Sequence, residues 1–382
     1  MNRRTALSLA FLGGLIPNTL FAQTRGRKGL TRARFAEADD PEVRRDATPV
    51  DDPEPADAAD APGMPREVGQ KWRRFDISRY TKLASNQTNP QNAIVDWIFR
   101  RTGTAAWHGE KVSSISAGRA QLRVYHDEET LRQVGAVVER FTNSQADILS
   151  VRVRFVAAVD TRWRYAVFSR LTHVGGGPQG QQIWTLKLED AAFVLAQMEI
   201  YQGFRILADR RVEMVNGQTL TIERSEPRGY TGSIQRDSAA GLGFQPKNEQ
   251  LKEGVFLKVS PLMTFEGDAL DAAIDLNVNT VRNYLRTKVI APREIGSNEM
   301  SIDVPEVVET RLSNYTVKDW PLGQTLLISA GIHPGILQAK GGFMNLRIPG
   351  TVPSSTEVLV FIDIEAVDRP RAARRDRDRE VE

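Results

Sequence analysis

A chain of 382 residues is long enough for two or three domains with cores of their own. Its 51 Lys and Arg stand against 48 Asp and Glu, and a formal charge of +3 is too balanced for a nucleic-acid binder despite a pI near 9.1. The absence of cysteine excludes disulfides, thiolate metal sites and thiol nucleophiles together.

Residues 1–22, MNRRTALSLAFLGGLIPNTLFA, join a basic start at Arg3 and Arg4 to an apolar run from Ala6 to Ile16 and a small residue, Ala22, at a cleavage position. The pattern reads as an export signal peptide. Pro17 and the Gly13-Gly14 pair stop the run short of the roughly 20 apolar residues of a spanning helix. Removing Arg3 and Arg4 with it lowers the formal charge to about +1. The arginine pair suits twin-arginine export without separating it from general export. Downstream no run of 18 apolar residues occurs, so no helical span is expected, whereas a β-barrel span stays open because its signal per strand is weaker.

Residues 23–70 are rich in Asp, Glu, Pro and Ala, as in ADDPEVRRDATPVDDPEPADAADAPG, and offer little to bury; we read a disordered linker. A small α+β module follows over 71–148. RFDISRYTKL reads as strand and turn. Asn89-Pro90 supplies an N-cap and a first-turn proline for a helix with Ala93, Ile94, Trp97 and Ile98 on one face. QLRVYH is a strand, and Asp127 caps a second helix carrying Leu131, Val134, Val138 and Phe141 at helical spacing.

Residues 149–367 read as a β-rich domain of long antiparallel strands, giving an α+β chain overall. Val151, Val153, Phe155, Ala157 and Val159 share one face of a first strand, with Arg152 and Arg154 on the other. HVGGGPQGQQ reads as a flexible loop, and EDAAFVLAQMEIYQG as a helix apolar around most of its girth and ended by Gly203. Strands follow at 204–208, 210–215, 218–224, 254–265, 269–281, 305–317, 324–332 and 356–366. In LDAAIDLNVNT, Leu270, Ala272, Ile274, Leu276, Val278 and Thr280 alternate with Asp271, Asp275, Asn277 and Asn279, a pattern shared by barrel spans and soluble sandwiches. Residues 368–382 mix both charge signs without apolar periodicity and read as a solvated tail.

RRVEMVNGQTLTIER, residues 210–224, reads as a hairpin around Asn216-Gly217. A two-residue turn would put Val212 and Met214 on the face opposite Leu220 and Ile222, because a one-residue slip inverts every side chain. A three-residue loop, Val215-Asn216-Gly217 with Gly217 left-handed, sets Val212 opposite Leu220 and yields one apolar and one charged face.

Enzymatic signatures are missing. His108, His126, His173 and His333 are scattered without metal-ligand spacing, GGGPQG lacks the Lys-Ser/Thr of a phosphate loop, and no GxSxG occurs. His126-Asp127-Glu128 lies at a strand-to-helix junction where capping explains the acid. The six tryptophans read as core anchors. We expect no catalytic residue, no metal and no cofactor.

The order of elements resembles the bacterial secretin family, the ring-forming outer-membrane gates of type II and type III secretion systems and type IV pili, over roughly Phe75 to Val367. The resemblance rests on AQLRVYHDEETLRQVGAVVERF leading into ILSVRVRFVAAVD, and on QGFRILADRRVEMVNGQTLTIER with Asn216, Gly217 and Gln218 at its turn. It continues through EGVFLKVSPLMTFEGDALDAAIDLNV with Gly254, Leu257, Val259 and Pro261, and through VPEVVETRLSNYTVKDWPLGQTLLISAGI with Val304, Pro305, Asp319, Gly323, Gln324 and Thr325. Two departures stand out. HPGILQAKGGFMNLRIPGTVPSS replaces the family's Val-Pro-x-Leu-Gly rim stretch, and the repeated upstream ring modules are reduced to one.

The resemblance implies a short, divergent secretin-like subunit: a ring-building module followed by a secretin-type domain, self-assembling into a channel for protein secretion in the outer membrane or periplasm. Its partners would be further copies, inner-membrane secretion components and outer-membrane lipid, with no nucleic acid. The polar face of 269–281 would look into the lumen. An exported structural protein with this fold and no pore is the alternative; an exported hydrolase is more remote.

Overall fold

The computed structural model describes residues 69–109, 112–159, 161–200, 204–237, 243–292, 297–334 and 355–367. The signal-peptide expectation, most of the linker, residues 335–354 of the rim stretch, Gly203 and the 368–382 tail lie outside those residues.

The first elements form a three-stranded sheet, ordered β1-β3-β2, from β1 (Gln70–Asp76), β2 (Ser114–Ala117) and β3 (Gln121–Asp127). Three helices accompany it rather than two. RYTKL is no turn: α1 (Ser78–Leu83) starts there because Asp76 Oδ1 accepts the Ser78 N–H at 2.8 Å, which the alternating pattern hid. α2 (Gln91–Thr102) buries Ala93, Ile94, Trp97 and Ile98 as its spacing requires. Its entry differs from expectation. Pro90 already has helical angles and no side-chain cap bond forms, Asn89 contributing only its carbonyl, to Asn92 N–H at 3.2 Å. α3 (Glu128–Thr142) is capped by Asp127, which accepts the Thr130 N–H at 2.9 Å. Leu131, Val134, Val138 and Phe141 are buried on its inner face.

Beyond it lie two sheets. The larger has six strands in the order β5-β6-β12-β13-β4-β7: β4 (Ile148–Ala158), β5 (Thr172–Gly176), β6 (Gln182–Lys187), β7 (Phe204–Val215), β12 (Gln324–Pro334) and β13 (Ser355–Ala366). The second is a four-stranded meander of β8 (Leu220–Asp237), β9 (Gly243–Met263), β10 (Ala269–Pro292) and β11 (Ser297–Pro321). The meander is thus inserted between β7 and β12. Its strands run to 18–25 residues, far beyond the usual five or six.

The sheets enclose one core in which Val151, Val153, Phe155, Ile328, Val360 and Ile362 meet Leu257, Val259, Leu270, Ile274, Leu276 and Trp320. The reverse face of the larger sheet is covered by α4 (Trp163–Val167) and α5 (Leu188–Ile200) over Val156, Leu327, Leu359 and Phe361. This explains a mixed strand: the β4 face bearing Arg152 and Arg154 turns apolar at Val156 and Ala158, where the helices begin to cover it. Val159 falls outside β4 and is exposed.

The HVGGGPQGQQ loop is in fact a hairpin. β5 and β6 pair around Gly177–Gln181, where Gly177 N–H donates to Gln181 O at 2.9 Å. Glycines fit because a Cβ on Gly175 would stand 2.1 Å from the Tyr315 hydroxyl and one on Gly177 2.9 Å from Leu312. The tip docks on β11 through Gln179 Oε1, which accepts Arg311 N–H at 2.7 Å, and Gln181 Nε2, which donates to Arg311 O at 3.1 Å.

Candidate functional site

The 210–224 hairpin does not form. β7, one strand where two were expected, pairs with β4, whereas β8 pairs with β9, so Asn216-Gly217 carries the chain from one sheet to the other. Gly217 is left-handed as anticipated, at φ +79°, and Gln218 N–H closes a turn on Val215 O at 3.0 Å. A Gly with positive φ at the third position marks a type II turn. Local alternation cannot show which strand lies alongside, which is why the correct handedness came with the wrong neighbour.

Buried polar groups converge on this turn. Asn216, 1% exposed, donates from Nδ2 to Arg140 O at 3.0 Å and accepts Met263 N–H on Oδ1 at 2.8 Å. Its own N–H donates to Asp147 O at 3.0 Å. One residue therefore ties α3 and β9 through its side chain and the approach to β4 through its backbone. Gly217 N–H donates to Pro261 O at 2.7 Å. Because a strand residue directs N–H and C=O to the same side, the donor that Pro261 lacks would have faced this turn rather than the β10 ladder. Gln218 accepts Val215 N–H on Oε1 at 3.0 Å and reaches Asn86 Oδ1 at 3.3 Å. A Cβ on Gly217 would lie 2.1 Å from the Phe141 ring.

Around the turn, Arg140 spans the gap from α3 to the meander. It donates from Nε to Met263 O at 2.8 Å, from Nη2 to Leu262 O at 2.7 Å and from Nη1 to Asp271 Oδ2 at 2.8 Å. Asp271 in turn accepts the N–H of Asp319, itself at φ +50°, on Oδ1 at 3.0 Å. Trp97 Nε1 donates to Ser260 Oγ at 3.1 Å, and Ser260 Oγ donates to Gly217 O at 3.2 Å. Asn216, Gly217, Gln218, Pro261 and Asp319 thus come together as a mechanical joint between helices and sheet.

The remaining family-resemblance positions lie elsewhere. Leu257 and Val259 are fully buried in the sandwich core. Gly323, at φ +78°, makes the turn returning the chain from β11 to β12, next to Trp320 Nε1, which donates to Gln324 O at 3.1 Å. Thr325 donates to Asp363 Oδ1 at 2.5 Å.

Gly254 marks a fork. Pairing of β9 with β10 runs from Met263–Leu270 to Gly254–Asn279 and stops there, while β8–β9 continues to Asp237–Gly243 and β10–β11 to Pro292–Ser297. Two separate two-stranded arms result. A Cβ on Gly254, at φ +148°, would meet Arg224 O at 2.0 Å, so only glycine lets β8 press against β9 where the strands part. Glu253 braces the crotch, accepting Val281 N–H at 2.8 Å and pairing with Arg228. Val304 and Pro305 lie on the second arm, opposite Leu285 and Tyr284.

The polar face of 269–281 does not stand open. Asp271 and Ala273 are buried beneath α2 and α3, and Asp275 accepts Asn314 N–H at 2.6 Å with Arg100 3.9 Å away. The acids that alternation assigned to solvent answer cations from the helical module.

Arg140, Ser260 and Asp271 carry the joint, and the sequence reading missed that role. The one available signal was a row of acids on a strand buried elsewhere, without any hint of the partner. Among the described residues no cluster of His, Asp and Glu could hold a metal, and no helix is long and apolar enough to cross a membrane.

These features define a class: a β-sandwich braced by a helical module and bearing two long hairpin arms. No protein-family model and no curated protein matches the sequence. Solved structures similar to it include the Salmonella SPI-1 type III secretion injectisome secretin InvG, with 10% identity, a TM-score of 0.27, and 83% of this chain and 93% of that one covered. The V. cholerae type IV competence pilus secretin PilQ shows 11% identity and a TM-score of 0.22 over 78% of each chain. The E. coli K12 type II secretion secretin GspD shows 12% and 0.21 over 82% and 66%. At these TM-scores the likeness carries no argument about function.

Proposed function

We propose that this chain is an exported, secretin-like subunit that assembles with copies of itself into a ring or channel for protein secretion in the outer membrane, and that it scaffolds or conducts rather than catalyses. The supporting observation is the pair of arms beyond Gly254. Each is a two-stranded ribbon whose two edges pair with no further strand among the described residues, a form marginal in water by itself. Neighbouring copies would pair these edges, and closing the ring would leave no open strand, the condition under which a sheet survives in lipid. On this reading residues 71–148 are the ring-building module, residues 149–367 the secretin-type domain and 1–22 the export signal, with inner-membrane secretion components as further partners.

Extraction of the envelope protein in mild detergent, followed by imaging, tests this. Heat-resistant rings of many copies that raise the conductance of liposomes are expected; soluble monomers or dimers would overturn the proposal. One observation favours a second reading, an envelope structural assembly without a pore: the β8–β9 arm carries charged or amide side chains on both faces, including Arg228, Lys247, Glu249, Gln250 and Lys252. Rings without conductance would select it.

A further inference from the structure

The tip of the β5–β6 hairpin takes no part in the joint or in the arms, yet its contacts are specific. It reaches the outer edge of β11, a strand that pairs only with β10 among the described residues. A residue of an antiparallel strand sends its N–H and C=O to one side, and the side alternates along the chain. Arg311 sends both to the open side, where Gln179 Oε1 accepts its N–H at 2.7 Å and Gln181 Nε2 donates to its O at 3.1 Å. Pairing of β11 with β10 then runs unbroken from Arg311–Asn277 to Val307–Val281, so Glu309 and Val307 send their groups to that same side. Pro305, which has no N–H, falls in the same set, as a proline on an edge strand must.

The two amides stand in for a neighbouring strand. Together they supply the acceptor and the donor with which a strand residue would close that rung. Both are held in place: Gln181, 2% exposed, accepts Gln179 N–H on Oε1 at 3.0 Å, and a Cβ on Gly177 would lie 2.2 Å from the same Oε1. Toward the sandwich from Arg311 the strand is irregular. Its register slips between Leu312 and Tyr315, where Asn314 stands at φ +54° and donates its N–H to Asp275 Oδ1 at 2.6 Å. A strand arriving at Arg311 would have to expel both amides and leave Gln181 buried without its partners. Outward, Glu309 and Val307 are exposed.

We propose that the β5–β6 hairpin plugs the edge of the meander: Gln179 and Gln181 close the Arg311 rung, and a strand from a second copy adds to β11 only from Glu309 outward. The plug belongs to the single chain; the second copy as strand donor rests on the ring reading above. An open rung is a template for any strand, so a plug at the base confines pairing to the arm and sets where it begins.

Residue-resolved amide exchange of the full chain tests both parts. Before assembly, Arg311 should exchange roughly ten-fold or more slowly than Glu309 and Val307. Gln179→Ala, at an exposed position, should abolish that difference, and Gln179→Glu, which keeps the acceptor, should retain it. Equal exchange at 311, 309 and 307 in the unaltered chain, or no response of Arg311 to Gln179→Ala, overturns the plug. In detergent-extracted rings Glu309 and Val307 should slow, while Gln179→Ala still speeds Arg311. Rings in which Arg311 is protected whatever stands at 179, or in which 309 and 307 stay fast, overturn the boundary and leave the ring standing. Absence of rings removes the second copy together with the ring reading, and the single-chain result still decides the plug.

Discussion

Gly217 shows how a single residue is constrained from two directions. Its positive φ costs a side chain about 1–2 kcal/mol, and a Cβ would also collide with the Phe141 ring, adding an overpacking cost of similar size. Gly217→Val is expected to destabilise by about 3 kcal/mol, read as a shift of the urea midpoint at unchanged slope. From the turn alone, Asn216→Asp looks harmless. The structure reverses that expectation, because Nδ2 donates to Arg140 O at a buried site where a carboxylate would face a carbonyl. Asn216→Ala should cost about 3 kcal/mol, leaving Met263 N–H and Arg140 O without partners. His333 supplies a pH dependence. It is fully buried, between Thr280 Oγ1 at 3.3 Å and Ala330 O at 3.4 Å, and burial pushes its pKa below the ordinary 6.5. The folded state then binds fewer protons than the unfolded one, so stability is full above pH 6.5 and falls as the pH drops from there toward the folded pKa. Urea midpoints measured above and well below pH 6.5 should show the decline, and His333→Gln should lessen it.

At the scale of elements, the decisive contacts join segments far apart in sequence. Arg140 and Asp271 form a pair whose side chains are only 16% and 11% exposed, and the same guanidinium satisfies two β9 carbonyls. Arg140→Ala strands a buried carboxylate and should cost about 3 kcal/mol or more. Its specific sign would be loosening of α3 from the meander, seen as faster proteolysis between Asn143 and Asp147 with the sandwich intact. Gly254→Ala acts elsewhere, at the fork, where the added methyl cannot coexist with Arg224 O. Faster amide exchange in β8 from Arg224 outward, with protection at Leu257–Val259 retained, is the expected outcome. Neither fork nor joint could be read from alternation: β8 and β9 keep their register through the fork, and the slip in β10 between Val281 and Asn283 does not say which neighbour departs.

For the whole molecule, stability is unevenly spread. The base of the meander lies between the larger sheet and the helical module, with Leu257, Val259, Leu270, Ile274 and Val278 fully buried, whereas beyond the fork no described side chain in either arm is buried apart from Thr280 and Val281. Amides of Val255–Leu262 should exchange near the global rate, and those of Thr231–Gln235 and Leu285–Val289 orders of magnitude faster in the isolated chain. If rings form, the arms should become protected on assembly while the base changes little; arms equally protected in monomer and ring would mean that they do not make the contact between copies.

Composition and period by themselves determined a β-rich chain with a small helical module, the absence of thiol chemistry, the buried faces of α2 and α3, the Asp127 cap and the left-handed Gly217. Each depends on a residue and neighbours within a few positions, where backbone sterics and amphipathic spacing act. The tertiary structure decided that β7 and β8 lie in different sheets, that GGGPQG is the tip of a docked hairpin, that Asp271 answers Arg140, and that two arms diverge at Gly254. Those outcomes depend on which strand edge or charge from a distant segment arrives alongside, and a period of two is the same whichever neighbour comes.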